Sequence, residues 1–381
     1  MGKNRKKRRI FLKFLIVFLL VFFGYNYQDE IGDYVSFVDF GDISFGDLGS
    51  QSITYGEVET LSRDLKVQFC PDLECLGVLS RELERADYSI KCAFYEFDNE
   101  PLAEVLISEF ESGVDIEIIV DNKYLDEKPL ESLEREGIPI YSDEDRGTRY
   151  DNYMHDKFCV IDNFTLITGS ANPTENGMNY NDNNIIVVDS VSLSKNYLNE
   201  FEQMKSGKFG TNKKSVLEFN KVILRLGKGD EGLGIRDEYV VSSFFCPQDD
   251  CVDEVLNVLN SAQEEILFAS FVLTEDSIES LLELKAKSGV NVSGVIENRM
   301  WNIQGSIADN LSVVFSLKKD SNPKTMHHKF FVVDEKIVVT GSMNPSKSGG
   351  FYNDENVLVI ENRDVALAFK SEFERVFGMA E

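Results

Sequence analysis

Basic residues are scarce in this 381-residue chain, which has 39 lysines and arginines against 66 aspartates and glutamates. The formal net charge is −27 at pH 7, although the first 25 residues contain seven basic residues and no acidic ones. The remainder is therefore still more acidic and should repel polyanions at long range unless its site is locally basic. This charge argues against a protein that coats nucleic acid non-specifically, but it does not exclude a nuclease with a basic cleft.

The sequence also lacks a small-x-small cleavage site after its N-terminal apolar run, residues 10–24, which follows six clustered basic residues. The run is short for a membrane span, but Lys13 can snorkel, and Tyr25 and Tyr27 can lie at the interface. The pattern favours an uncleaved anchor in the phospholipid bilayer, at residues 1–28, over a signal peptide or a buried core helix. Because cations remain on the cytoplasmic side, we expect a single-pass protein with a cytoplasmic N-terminus and an extracytoplasmic body.

Cysteines are few, and four of the six form two close pairs in the sequence: Cys70 with Cys75, and Cys246 with Cys251. In an oxidising exterior these pairs can close small disulfide loops, which we favour over free thiols. Zinc is the third alternative, but no further ligand lies near either pair in the sequence. Cys92 and Cys159 lie in apolar, strand-like runs and are expected to be buried thiols.

The same pattern occurs twice along the chain. Phe69-Cys70-Pro71 recurs as Phe245-Cys246-Pro247 at an offset of 176, and His155-Asp156-Lys157 recurs as His327-His328-Lys329 at an offset of 172. Such self-similarity indicates two copies of one structural unit. The predicted organisation after the anchor is an approach segment at 29–65, a first unit at 66–205, a connection at 206–238 and a second unit at 239–381.

Predicted strands and helices alternate within each copy. The first copy has apolar patterns typical of strands at 66–69, 89–97 and 114–120, and of helices at 76–86 and 102–112. The second copy repeats them as helices at 252–262 and 278–287 and strands at 265–273 and 290–296. This alternation predicts an α/β fold in which helices cover a largely parallel sheet.

A His-x-Lys pattern followed by an apolar run is the most informative feature of both copies. It comprises His155 and Lys157 in the first copy, and His327 and Lys329 in the second. Alternate side chains of a strand share a face, so each imidazole should point the same way as its ammonium group. His328 should then point to the opposite face, where it packs or meets solvent.

Each apolar run ends in a predicted hairpin turn at Asp162 or Asp334, which we interpret as structural residues. The return strands, 165–168 and 337–340, should bring a Gly-Ser-x-Asn sequence beside the His and Lys. Its polar members are Ser170 and Asn172 in the first copy and Ser342 and Asn344 in the second. Gly allows a close backbone approach, while Ser and Asn supply neutral donors. One His, one Lys and one Asn from each copy would form a symmetric cradle for a tetrahedral anion.

The spacing His-x-Lys-x4-Asp-x6-Gly-Ser-x-Asn, present in both copies, resembles the phospholipase D superfamily over residues 66–378. The resemblance implies two duplicated α/β units with mixed sheets flanked by helices, packed as a pseudo-twofold dimer. The N-terminal transmembrane helix, predicted from the basic and apolar pattern alone, precedes them. It further implies a phosphodiesterase that needs no metal and no other cofactor. Because the duplication supplies both half-sites, we expect a monomer.

The implied mechanism is attack of one imidazole on phosphorus while the other protonates the leaving oxygen, followed by hydrolysis of the phosphohistidine. The copies differ 28 residues after each motif His, where the first has Asn183 and the second Glu355. By the resemblance these side chains reach across to the opposite unit, so Glu355 would support His155 and Asn183 would support His327. A carboxylate strengthens a nucleophile whereas an amide only orients the ring, so we expect His155 to attack and His327 to act as the acid.

Basic residues just before the motifs form either a positive site entrance or a solvated loop: Arg146, Arg149, Lys318, Lys319 and Lys324.

Three functions remain open. A membrane-anchored phospholipase D-type enzyme that cleaves phospholipid headgroup phosphodiesters fits the anchor and the acidic body. A membrane-anchored or exported endonuclease cleaving DNA or RNA fits the compact two-copy chain and its Asn353-Asp354-Glu355-Asn356 sequence. An inactive binding module is disfavoured because both motifs are intact.

Overall fold

Sixteen strands form the framework of the computed structural model, which describes residues 57–72, 74–143, 152–226 and 238–381. Within those residues the strands are β1 (Glu57–Leu61), β2 (Lys66–Cys70), β3 (Ser89–Phe94), β4 (Asp115–Val120), β5 (Ile140–Ser142), β6 (Lys157–Ile161), β7 (Thr165–Gly169), β8 (Asn183–Asp189), β9 (Val222–Leu226), β10 (Glu238–Cys246), β11 (Glu265–Ser270), β12 (Asn291–Ile296), β13 (Ser316–Lys319), β14 (Lys329–Val333), β15 (Ile337–Gly341) and β16 (Glu355–Glu361).

The α-helices of the same residues are α1 (Glu74–Leu83), α2 (Glu100–Glu111), α3 (Lys128–Arg135), α4 (Glu175–Asn179), α5 (Val191–Lys205), α6 (Cys251–Ser261), α7 (Asp276–Lys287), α8 (Ala308–Leu311), α9 (Lys347–Phe351) and α10 (Arg363–Met379). The predicted helices of both copies are therefore confirmed, with ends shifted by a few residues. Side-chain capping explains where two of these helices begin. The Asn99 side chain accepts from the N–H of Leu102 at the start of α2, and the Ser190 side chain accepts from the N–H of Leu193 at the start of α5.

The two sheets repeat one strand order. The first runs β2-β8-β7-β6-β3-β4-β5, and the second ends in the matching series β10-β16-β15-β14-β11-β12-β13. Within each series only the last three strands are parallel neighbours. The expectation of a largely parallel sheet was wrong, because the short turns after the motif strands can join only antiparallel neighbours. The sheets are mixed and flanked by helices, as the resemblance implies.

Two strands of the second sheet come from segments without a predicted element. Strand β9 lies in the predicted connection and pairs antiparallel with β10, while β1 lies in the predicted approach segment and pairs parallel with β9. Val222 and Leu224 of β9 are fully buried, and they show the two-residue period of a strand. Strand β9 has only five residues and lies between polar segments, so its two-residue period is too short to be recognised in the sequence.

A shared hydrophobic core joins the two halves, and outer cores lie on the far side of each sheet. In the shared core, Phe158 of the first motif strand packs edge-on against Tyr197 of α5, with ring centroids 5.0 Å apart. Phe330 of the second motif strand packs in the same way against Phe369 of α10, at 5.1 Å. Burial of each such ring contributes about 2 kcal/mol and fixes each motif strand against the long helix of its own half.

The motif turns are held by their aspartates, which confirms the structural interpretation. The Asp162 carboxylate accepts from the backbone N–H groups of residues 87, 88 and 89 at 2.7, 2.8 and 2.9 Å. The Asp334 carboxylate accepts in the same way from residues 263, 264 and 265. Both aspartates have a positive φ, of 53° and 51°, a conformation that Asp tolerates better than most residues.

All six cysteines form disulfides in the described residues. Cys70–Cys75 and Cys246–Cys251 are the favoured local pairs. The expectation of buried thiols at Cys92 and Cys159 was wrong, since these two residues are also bonded to each other. They face each other directly across β3 and β6, a juxtaposition that their 67-residue separation hides in the sequence.

Within the described residues, no helix combines the length and the apolar character that a bilayer crossing requires. The predicted N-terminal transmembrane helix lies outside these residues, as do Arg146 and Arg149.

Candidate functional site

Each motif histidine lies two residues before the start of a central strand and is held there by the opposite half. The backbone N–H of His155 donates to the carbonyl of Asp354 at 2.9 Å. The backbone N–H of His327 donates to the carbonyl of Asp182 at 2.8 Å. Since each half supplies the acceptor for the other, the two histidines are positioned where the halves meet.

Both histidines line one cleft with a volume of about 730 Å³. Asn172 and Asn344, the last residues of the two Gly-Ser-x-Asn sequences, line the same cleft. The structure therefore brings His and Asn from both copies into one shared site, as the duplication predicts.

The ring of each histidine is hydrogen-bonded to a side chain from the other half. His155 Nδ1 lies 2.7 Å from Glu355 Oε2, and His327 Nδ1 lies 3.0 Å from Asn183 Oδ1. This is the crossed pairing expected from the resemblance, with a carboxylate behind one ring and an amide behind the other. An ionised Glu355 accepts from Nδ1–H, and this bond leaves the lone pair of His155 on Nε2.

The two motif serines lie behind these partners rather than at the cleft. Ser342 Oγ donates to Glu355 Oε2 at 2.7 Å, and Ser170 Oγ donates to Asn183 Oδ1 at 3.0 Å. Both serines are fully buried, and neither lines the cleft. Their hydroxyls therefore orient the partners of the histidines instead of contacting an anion.

The two motif lysines are buried beside the histidines. Lys157 Nζ donates to the carbonyl of His155 at 2.8 Å, and Lys329 Nζ donates to the carbonyl of His327 at 2.9 Å. An ammonium group has three N–H donors, so each lysine can give further hydrogen bonds to a bound anion.

Burial determines the protonation of this cluster. It lowers the pKa of His155 and of His327 well below the usual value, and the neighbouring lysines lower both further. Burial also lowers the pKa of Lys157 to about 8 and that of Lys329 well below its usual range. It raises the pKa of Glu355 to about 7, against the opposing effect of Lys157. Both imidazoles are thus neutral, and a bound anion would stabilise the crowded cations.

Asn172 and Asn344 each carry a buried carboxamide oxygen with no hydrogen-bond partner among the described residues. A buried polar atom without a partner is costly, and such atoms concentrate at functional sites. Both side chains line the cleft, so their amide groups can bind a polar ligand there.

Sequence reasoning missed two aromatic rings that cover the histidines. Tyr95 lies with its ring centroid 4.7 Å from that of His155, and Phe271 lies 5.1 Å from His327. The two rings are at the repeat offset of 176, immediately after β3 and β11. This repetition was the signal that could have identified them.

Sequence reasoning also missed a second layer of cross-half contacts. Thr168 Oγ1 donates to Asn356 Oδ1 at 3.0 Å, and Thr340 Oγ1 donates to Asn184 Oδ1 at 2.9 Å. These asparagines follow Glu355 and Asn183 directly in the sequence. As predicted, His328 points away from the cleft, and its Nε2 lies 2.9 Å from Glu372 Oε1.

Among the candidate entrance residues, Lys324 lines the cleft together with Arg299. Lys318 instead donates to two carbonyls near the C-terminus, and Lys319 Nζ lies 5.0 Å from the centroid of the Trp301 ring. The cleft lining is therefore basic at Arg299 and Lys324. Of these two residues, only Lys324 was among those predicted.

Comparisons with known proteins agree with this geometry. The family described as "Cardiolipin synthase, PLD-like domain" matches residues 79–205 and again residues 255–377. The mitochondrial cardiolipin hydrolase of Xenopus tropicalis is 31% identical over 143 residues, which are 36% of this chain and 68% of that protein. Phospholipase D of Rickettsia conorii is 26% identical over 208 residues, which are 54% of this chain and 98% of that protein.

The fold also matches a solved structure. Phosphatidylserine synthase of Haemophilus influenzae Rd KW20 superposes with a TM-score of 0.61 over 83% of this chain and 87% of that one, and at 12% identity it shows the fold alone. The chain spans only 50% of the human mitochondrial cardiolipin hydrolase and 70% of that of Xenopus laevis.

Proposed function

Because the chain belongs to the phospholipase D superfamily, we propose that it hydrolyses phospholipid headgroup phosphodiesters through a covalent phosphohistidine. The observation that carries the proposal is the pair of neutral imidazoles lining one cleft. Each uses Nδ1 for a partner from the opposite half, so both can present Nε2 to one phosphate.

In the first step, Nε2 of His155 attacks phosphorus, and the bond from phosphorus to the leaving oxygen breaks. Glu355 accepts from Nδ1–H and stabilises the positive charge that develops on the ring. The bound phosphate raises the pKa of His327, so that its ring takes up a proton from solvent at Nε2 and then donates this proton to the leaving oxygen. Asn183 accepts from Nδ1–H of His327 and keeps that ring oriented.

In the second step, His327 takes a proton from water, and the resulting hydroxide attacks phosphorus. The bond from phosphorus to Nε2 breaks, which restores neutral His155 and releases the phosphomonoester. Lys157, Lys329 and the amides of the two cleft asparagines stabilise charge on the equatorial oxygens in both steps. The positive charge that stabilises the phosphate oxygens thus comes from lysines of the protein, and the proposed reaction requires no metal ion.

Aromatic residues around the cleft support a lipid substrate. Tyr180 and Phe351 are each 45% exposed, at the ends of short helices that contribute Asn176 and Ser348 to the cleft lining. Exposed aromatic side chains suit the interfacial region of a bilayer. The names of the relatives, cardiolipin hydrolase and phospholipase D, point to the same substrate class. The anchor predicted at residues 1–28 would hold a monomer with this cleft at the extracytoplasmic surface.

A second candidate function is nucleic-acid cleavage by the same two histidines. Its support is the presence of Arg299 and Lys324 along the cleft, since cations there can bind neighbouring backbone phosphates. The acidic body disfavours it, because a polyanion would be repelled before it reached these two residues.

The test offers wild type and a His155→Ala variant both fluorescent phospholipid vesicles and single-stranded DNA, with chelator present. We expect headgroup release by wild type and a loss of at least about 10³-fold in the variant. Cleavage of DNA alone would refute the lipid substrate. A rapid alkaline quench with phosphorus-labelled substrate should locate the label on His155, and label on His327 would reverse the two roles.

A further inference from the structure

A buried cluster of charges joins the segment between the halves to the Glu355 side of the site. Lys213 Nζ lies 2.7 Å from Asp354 Oδ1 and is also paired with Glu200. All three side chains are 0% exposed. The N–H of Gly210 donates to the same Asp354 oxygen at 2.6 Å. The Asp354 carboxylate is therefore bound from two points of the connecting segment.

The backbone of Asp354 is bound in turn to the segment that carries His155. Its carbonyl accepts from the N–H of His155 at 2.9 Å, and its own N–H donates to the carbonyl of Tyr153 at 2.9 Å. Asp354 also directly precedes Glu355. A shift of its carboxylate would consequently move both His155 and the carboxylate that supports its ring.

The corresponding arrangement beside His327 has a different source of the cation. Arg375 of α10 is paired with Asp182 and lies 2.6 Å from Glu372 Oε1. The carbonyl of Asp182 accepts from the N–H of His327. Asp182 and Asp354 are related by the repeat offset of 172, as are Glu200 and Glu372. Beside each motif histidine, one cation thus bridges an Asp of one half to a helix Glu of the other half.

The two cations differ in origin. Arg375 lies inside the second stretch that matches the PLD-like domain, whereas Lys213 lies between the two stretches, which end at 205 and resume at 255. The cation beside His155 therefore comes from the connecting segment, whereas the cation beside His327 comes from helix α10 of the second half.

We infer that Lys213 is a positioning residue for the attacking histidine, and that it acts by fixing Asp354 between the connecting segment and His155. The inference rests on the proposed role of His155. Without Lys213, the carboxylates of Asp354 and Glu200 would be buried without the cation that they share. Each would then have to take up a proton or move toward solvent, and the hydrogen bonds of Asp354 would loosen.

The test observes the histidines directly by nitrogen NMR, which is practical because the chain has only three of them. In Lys213→Met, the ring signals and titration of His155 should shift while those of His327 stay near wild type. The matched variant Arg375→Met should shift His327 and spare His155. With a chromogenic phosphodiester, Lys213→Met should lower kcat at least about tenfold with KM within about twofold, and Lys213→Arg should restore most of the loss.

Two further variants keep the test decisive if Lys213→Met does not fold. Glu200→Gln leaves the contact between Lys213 and Asp354 in place, and His155 should resemble wild type. Lys213→Met combined with Glu200→Gln removes one charge of each sign from the cluster, yet it should still shift His155. Wild-type His155 signals in this folded double variant, or equal shifts of His155 and His327, would overturn the inference. Because NMR needs no substrate, failure of the proposed activity would be seen separately as inactivity of the wild type.

Discussion

Replacement of Glu355 by Gln is the sharpest test of how the site activates its nucleophile. The change keeps the shape of the side chain but removes its charge. In the wild type, Oε2 of Glu355 lies 2.7 Å from His155 Nδ1 and accepts from Ser342, while Oε1 accepts from Asn353. The amide can retain the two bonds at Oε2, but its NH2 group would face the NH2 group of Asn353.

The expected loss follows from that one ionic hydrogen bond. A bond to an ionised carboxylate contributes about 2 kcal/mol, and it strengthens as positive charge develops on the His155 ring. Since about 1.4 kcal/mol corresponds to a factor of ten in rate, kcat/KM should fall by about 30-fold or more. KM should change little, because Glu355 is fully buried behind the ring and outside the cleft lining.

The pH profile gives an independent measurement. Burial raises the pKa of Glu355 to about 7, so the carboxylate is protonated below that pH and cannot support His155. Burial lowers the pKa of Lys157 to about 8, so its charge is lost as the pH rises through that value. The wild-type kcat/KM should therefore be bell-shaped with a maximum between these values.

In Glu355→Gln the acidic limb should disappear while the alkaline limb remains. Glu372→Gln is the matched control, because it alters a buried carboxylate paired with His328 outside the cleft. That control should retain the acidic limb. A Glu355→Gln enzyme with an unchanged acidic limb, or with kcat/KM within about threefold of wild type, would refute the reasoning.

Three further predictions concern Lys157, Asp162 and Gly341. Vanadate binding should raise the pKa of Lys157 from about 8, so that the protein takes up protons as vanadate binds. Inhibition by vanadate should therefore weaken as the pH rises above 8, and calorimetry in two buffers would detect the proton uptake. Asp162→Ala removes the acceptor for the N–H groups of residues 87–89 and should cost about 2 kcal/mol in urea unfolding with kcat unchanged, so a large loss of kcat would contradict its structural role. Gly341→Ala should greatly reduce both stability and activity, because Gly341 has φ of +136° and a Cβ there would lie 2.3 Å from the backbone oxygen of Asn356; a fully active variant would disprove this close packing.

The sequence alone predicted the features that depend on local pattern. Apolar periodicity indicated most helices and strands, and the two repeat offsets indicated one unit built twice. The spacing of the two motifs also predicted that His155 and His327 share one site with their lysines beside them, which is where the structure places them. These signals are readable because strand alternation and turn chemistry act over a few neighbouring residues.

The features that were missed depend on which distant segments lie side by side. Cys92 and Cys159 pair because of strand register, and Lys213 reaches Asp354 because a connecting segment folds back between the halves. The motif serines turn away from the cleft because Glu355 and Asn183 occupy positions beside them. Such contacts arise only when two sheets and their helices pack together, so the tertiary structure decided the supports of the site, while the sequence by itself predicted the groups that are proposed to react.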